Sequence, residues 1–226
     1  TRHQRHDPIP DAMVGLDQAQ VDAVTTMLGT TRPVVTVVGP AGAGKTRMLA
    51  AAVDSWRLAG VRVFGVGPSA TSAQQLADGA ETAADTLHKL VFEHHTKWVE
   101  RRQPPERGWW LPVGSVVIID EAAMVDTRLL HQYAQIACRN QWRTILVGDH
   151  RQLDSVDAGG MFAELVEHPD VITAELDTLH RFDHDWEADA SLQLRDGDTA
   201  AVDAYDDHDR VHGHSDEQAA IDAVVD

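Results

Sequence analysis

An α/β fold, with a mainly parallel sheet between two layers of helices, is predicted by three features of the 226-residue sequence. Short runs that are apolar throughout alternate with segments of helical length, as they do when a sheet is covered on both faces. The apolar runs lack the in-out alternation of a half-exposed strand. Three of them end abruptly in glycine or acid followed by further polar residues: VVTVVGPAGAGKT, SVVIIDE and RTILVGDHRQ. In such sheets ligands bind beyond the carboxyl ends of the strands.

Taken in order, residues 33–39 (PVVTVVG) read as a short buried strand, and 45–60 as a helix closed by Gly60. Residues 61–67 (VRVFGVG) are strand-like, SAQQLADG is a short helix, and TAADTLHKLVFEHHTKWVE (82–100) reads as one helix. Three prolines and a glycine in RRQPPERGWWLP (101–112) make it a loop or small insertion. SVVIID (115–120) is a strand, TRLLHQYAQIACR a helix, RTILVG (143–148) a strand and VITAEL (171–176) another. After Asp183 the chain is acidic and helical in character. The expected organisation is an N-terminal extension over 1–13 and a main domain over 14–176 with a small insertion around 91–112. Residues 177–226 are expected to be peripheral helices or the start of a second domain.

No apolar run approaches the roughly 20 residues needed to cross a bilayer, and no charged-then-apolar leader is present, so neither membrane insertion nor secretion is expected. The lone cysteine, Cys138, excludes an internal disulfide and suits a reducing cytoplasm. Its helical apolar setting predicts a core position. Thr1 opens the sequence without an initiator Met, which predicts a piece of a longer chain. A net charge of −17 disfavours a wholly basic nucleic-acid surface, but the acid is concentrated in the last third, leaving room for a local basic groove before Leu111.

Residues 39–46, GPAGAGKT, match G-x-x-x-x-G-K-[ST] between a strand and a helix. Gly39, Pro40, Ala41, Gly42, Ala43 and Gly44 would turn backbone N–H groups toward phosphate oxygens. Lys45 would add a point charge, Thr46 a hydroxyl ligand for Mg²⁺, and the helix its positive end. The next strand end carries Asp120, a second Mg²⁺ contact, and Glu121, which would orient or deprotonate the attacking water. At the third, a neutral amide at Gln152 beside Asp149 would bond the γ-phosphate or that water and act as a sensor; a polar turn is the competing reading.

GPAGAGKT, DEAAMVD and LVGDHRQL, in this order, resemble superfamily 1 helicases of the RecD-like branch, most closely the helicase region of conjugative relaxases. The resemblance spans most of residues 14–206. It implies a P-loop NTPase (RecA-like) motor domain that uses ATP and Mg²⁺ on single-stranded DNA, with a relaxase domain elsewhere in the parent chain and the conjugative transfer machinery as partners. LDQAQVDAV looks like the adenine-reading motif, which places Gln20 on the base. ELDTLHRF looks like the segment that carries an arginine, here Arg181, to the γ-phosphate, although Phe182 stands where the family has glutamine. DWEADASLQLRDGDTAAVDAY is similar to the stretch that follows. The relaxase tyrosine and the last helicase motifs have no counterpart, so this chain is expected to unwind weakly or not at all by itself. Two other readings stay open: the nucleotide-binding part of a RecD-like repair helicase, and a binding domain without turnover.

GVGPSATSAQQL and TLHKL look like the two motifs that contact single-stranded DNA. Pro68, Ser69 and Thr71, extended by Thr86, His88 and Lys89, are the candidates; helix capping by the hydroxyls is the alternative. In TKWVERRQPPERGWW, cations interleave with Trp98, Trp109 and Trp110, either to stack on bases or to pack the insertion on the core. The histidines of HDRVHGH read as a surface cluster rather than a zinc site.

Overall fold

The computed structural model describes residues 3–152, 160–180, 182, 184–214, 218 and 221. The chain divides into two compact units, Thr1–His180 and Arg181–Asp226.

The first unit is a six-stranded sheet of β1 (Val34–Val38), β2 (Val63–Gly67), β3 (Ala84–Thr86), β4 (Val116–Ile119), β5 (Arg143–Gly148) and β6 (Ile172–Glu175). Their order across the sheet is β3-β2-β4-β5-β1-β6, and every pair is parallel. The apolar runs become strands because both of their faces are covered. Val35, Val37, Ile118, Ile145 and Val147 face α1 (Gln18–Gly29) and α2 (Lys45–Leu58), whose Met27, Leu28, Met48, Leu49 and Trp56 are fully buried. Val38, Val66, Val117, Ile119 and Leu146 face the other layer. That layer holds α4 (Leu87–Val91), α5 (Thr127–Asn140) and α6 (Met161–Glu167). Each fully buried Leu, Ile, Val or Met contributes roughly 1.5–3 kcal/mol over exposure, so the two layers hold the strands in one register.

Register decides where the strands stop. Val66, Ile119, Leu146, Thr36 and Thr173 form one row across five strands. The row is reinforced by a 2.7 Å hydroxyl–hydroxyl bond between Thr36 and Thr173. The residues just beyond it, at Pro68, Asp120, Asp149 and Gly39, therefore leave the sheet at the same edge.

Two expectations need correction. The stretch 82–100 is not one helix: Ala84–Thr86 adds a parallel strand beside β2, α4 begins only at Leu87, and a π-helix runs over Phe92–Glu100. Without β3 the buried strand β2 would be left with an unpaired edge, and that tertiary need overrides local helical spacing. Cys138 is exposed rather than in the core. The buried stripe of α5 is Leu129, Leu130, Tyr133, Ile136 and Ala137, and the next residue rotates about 100° away from it.

Before α1, residues 10–13 form a 3₁₀ turn. The Ile9 N–H donates to the Ser55 hydroxyl (3.1 Å) and the His6 N–H to the Leu28 carbonyl (3.0 Å). Arg143, at the buried start of β5, donates to the carbonyls of Met27 (3.2 Å), Thr30 and Gln4 (2.9 Å). A guanidinium thus closes the C-terminal end of α1, where carbonyls lack helical partners. Burial lowers its pKa to about 10. The second unit contains α7 (Asp185–Arg195) and α8 (Ala200–Asp207), with His208 stacked on Trp186 at 3.7 Å.

Arg143→Met should strand three carbonyls and lower the unfolding free energy by about 2–4 kcal/mol, read from urea midpoints.

Candidate nucleotide site

β1 delivers the 39–46 loop, and the loop's shape follows from its glycines. The Gly39 N–H donates to the Gly148 carbonyl (3.1 Å), tying the loop's start to the end of β5. Gly42 (φ 88°) and Gly44 (φ 70°) are left-handed, which a side chain would oppose. At Gly44 a Cβ would also collide with the Gln20 amide. α2 then starts at Lys45, whose Nζ rests on the Gly39 (2.8 Å) and Pro40 (3.3 Å) carbonyls. Thr46 is exposed in the first turn.

β4 ends one step past Ile119 at Asp120, whose N–H still bonds the Val66 carbonyl of β2 (3.0 Å). The Asp120 carboxylate is raised above the usual range by burial and then by the charge of Glu121. The Glu121 N–H (3.0 Å) and the positive charge of Lys45 partly offset this. A carboxylate held in that state favours a nearby cation. Glu121 itself has left-handed backbone (φ 51°), an uncommon state for a residue with a side chain, and a 3₁₀ turn follows over Ala122–Met124. At Gly148 an added Cβ would lie 3.2 Å from the N–H nitrogens of Ala122 and Ala123, so the glycine lets the β5 end sit against this turn.

Asp149, only 1% exposed, organises the third strand end. One carboxylate oxygen accepts the Arg151 N–H (3.1 Å), and the other accepts the Gln152 side-chain amide (3.1 Å). The Gln152 N–H also donates to the Asp149 carbonyl (3.3 Å). Gln152 is exposed, its amide held by this turn. Thus the turn chemistry and the candidate sensor are the same structure.

Gln20 is 2% exposed, in the first turn of α1. Its Nε2 donates to the Ala43 carbonyl (3.1 Å) and its Oε1 accepts the Asp17 N–H (3.1 Å), so it contacts the loop itself. Sequence reasoning missed His180 altogether. Its N–H donates to the Gly42 carbonyl (2.9 Å) and its ring pairs with Asp17 at 2.7 Å. The contact spans 163 positions and leaves no periodic trace. Arg181 lies outside the described residues.

Among the DNA candidates, the pairing of Gly67 with Thr86 sets the ends of β2 and β3 side by side. Ser69 caps α3 (Ala70–Gly79) through a reciprocal box with Ser72, and Thr86 caps α4 by accepting the Lys89 N–H (3.2 Å). Pro68 is half-buried, whereas Thr71 and His88 are exposed. Lys89 pairs with the buried Glu93 (3.5 Å). In the insertion Trp109 packs on Phe64 (centroids 5.2 Å apart), and its carbonyl meets the His94 ring (2.8 Å). Trp110 is 63% exposed. Lys97 bridges Glu93 (2.9 Å) and Glu106 (2.8 Å).

Hard oxygen donors at Thr46 and Asp120 suit Mg²⁺, which keeps waters and phosphate oxygens beside one or two protein ligands. Among the described residues, no group of three or more His, Cys, Asp and Glu is placed to hold a metal alone. No helix among them is long and apolar enough to cross a membrane.

A parallel sheet with a glycine loop, lysine and acids at one edge defines a P-loop NTPase domain of the RecA-like kind. The AAA domain family model matches residues 15–216. The chain is 32% identical over 187 residues to a probable conjugal transfer protein TraA of Sinorhizobium fredii, covering 83% of this chain and 16% of that protein. It is 30% identical over 211 residues to the conjugal transfer protein TraA of Agrobacterium fabrum, covering 93% and 18%. Against the RecBCD enzyme subunit RecD of Mycobacterium tuberculosis it is 32% identical over 177 residues, covering 66% and 30%. In fold it resembles the Pif1 helicase of Candida albicans, with a TM-score of 0.63, 20% identity and coverage of 85% and 47%. The chain therefore belongs to the AAA domain family, as a RecD-like superfamily 1 helicase domain resembling the helicase region of conjugative relaxases. It spans less than a fifth of the TraA proteins it matches.

Burial alone would raise the Glu93 pKa. The Lys97 bond, the Glu106 N–H and the charges of Lys97 and Lys89 outweigh it and hold the carboxylate below its ordinary 4.5. Its contribution is complete above that value and is lost as pH falls through the lower, folded one. Glu93→Gln should flatten the acid limb of the stability profile below the ordinary 4.5, measured by urea unfolding at each pH.

Proposed function

We propose that this chain is the first motor domain of an ATP-driven DNA helicase or translocase belonging to a cytoplasmic conjugative relaxase. One observation carries the reading: the in-register row from Val66 to Thr173 sends the lysine loop, Asp120-Glu121 and the Asp149–Gln152 turn off a single sheet edge. Left-handed Gly42 and Gly44 turn loop N–H groups toward a β-phosphate, and Lys45 exchanges its carbonyl partners for phosphate oxygens. Thr46 and Asp120 would hold Mg²⁺, which would supply charge neutralisation to the phosphates. Glu121 orients or deprotonates the attacking water. Gln152 shares its amide between Asp149 and the γ-phosphate, and Arg181 meets the charge that develops on transfer. Adjacent strand ends at Pro68, Ser69 and Thr71 and at Thr86, His88 and Lys89 carry single-stranded DNA, with relaxase and transfer proteins as further partners.

Lys45→Ala should weaken Mg²⁺–ATP binding by at least about tenfold, measured by calorimetry. Glu121→Gln should leave affinity intact and slow single-turnover hydrolysis by roughly 10²–10⁴-fold. Equal loss of binding in both variants would refute this division of roles. If the full-length parent shows no DNA-stimulated hydrolysis, the motor reading gives way to a nucleotide-holding module.

Lys89→Ala should reduce the slope of log affinity for single-stranded DNA against log salt by about 0.7, the value for one phosphate contact. An unchanged slope in a salt titration removes Lys89 from the track.

A further inference from the structure

The geometry points to Gln20, Asp17 and His180 as a positioning unit that shapes the phosphate loop. This rests on the nucleotide-site reading above. Both ends of the Gln20 amide already have protein partners, at 3.1 Å each, and the residue is 2% exposed.

What those partners accomplish is geometric. In a trans peptide the carbonyl and the N–H of the next residue point in opposite directions. Gln20 Nε2 pulls the Ala43 carbonyl toward α1, which turns the Gly44 N–H the other way. The His180 N–H pulls on the Gly42 carbonyl, which directs the Ala43 N–H; that group now donates to Pro40 at 3.3 Å, the longest of these bonds. Two consecutive peptides of the loop are thus oriented from outside it. Asp17 joins the two anchors, with one carboxylate oxygen accepting the Gln20 N–H (2.8 Å) and the other meeting the His180 ring (2.7 Å). Gly44 is left-handed at the point of closest approach, where a Cβ would meet Gln20 first and then the His180 ring at 3.5 Å. The anchor after β6 and the anchor on α1 therefore act on the same peptides that would face a phosphate.

Loop positioning acts on the phosphates whatever the base, and this sets the test. Mg²⁺ complexes of ATP, GTP and inorganic tripolyphosphate are titrated calorimetrically into the unaltered chain, Gln20→Ala, His180→Ala and His180→Gln. Gln20→Ala and His180→Ala should each lose about tenfold in affinity for all three probes alike. His180→Gln, which can still donate to Asp17, should recover part of the loss. A loss confined to ATP in Gln20→Ala makes Gln20 a base reader and overturns the proposal while leaving the nucleotide site standing. His180 is 45% exposed, so its alanine variant should fold even where Gln20→Ala does not. A lowered melting midpoint of nucleotide-free His180→Ala with unchanged affinities would reduce the unit to scaffolding and overturn it. Failure of the unaltered chain to bind any probe would sink the nucleotide-site reading first, and this proposal with it.

Discussion

A parallel strand is tied to its neighbours by evenly spaced bonds, and in this chain those bonds hold five strands in one row through Val66, Ile119, Leu146, Thr36 and Thr173. Everything proposed for the site depends on that row. Lys45, Asp120 and Gln152 are more than a hundred positions apart end to end in the sequence, yet each follows the row by fewer than ten residues. A one-residue slip of β4 would turn Asp120 to the opposite face and bury a carboxylate among the side chains of the other layer. The register is held because both faces are apolar: Ile118 faces the α1–α2 side, and Val117 and Ile119 face α5.

On this frame the phosphate loop is held from several directions. The Gly148 carbonyl receives the loop's first N–H, α2 carries its last residues, and Gln20 and His180 take its middle carbonyls. Polar groups at the site engage one another in ways that a ligand can exchange: Lys45 on loop carbonyls, Gln152 on Asp149. Burial and the charge of Glu121 both act against the ionised form of Asp120.

The charge balance follows the same division. An overall charge of −17 does not prevent anion handling where the local donors are backbone N–H groups and one lysine. In the insertion, the cations are partly spoken for: Lys97 belongs to Glu93 and Glu106, and Lys89 leans on Glu93. The tryptophans divide, with Trp109 in the core and Trp110 outside. The packing reading of that segment holds for Trp109.

The α/β class and the strands at 34–38, 63–67, 116–119, 143–148 and 172–175 were legible in the sequence, because mostly apolar runs between helical segments fit a parallel sheet flanked by helices. The loop motif was legible too, since its glycines and lysine act within a few residues of one another. Contacts between distant segments were not. β3 forms because β2 offers an edge; Cys138 faces outward because α5 rolls its Leu129–Tyr133 stripe onto the sheet; His180 reaches Asp17 across 163 positions. Local spacing carries propensity and periodicity, whereas the partner that satisfies an edge, a carbonyl or a carboxylate is chosen only when the chain closes on itself.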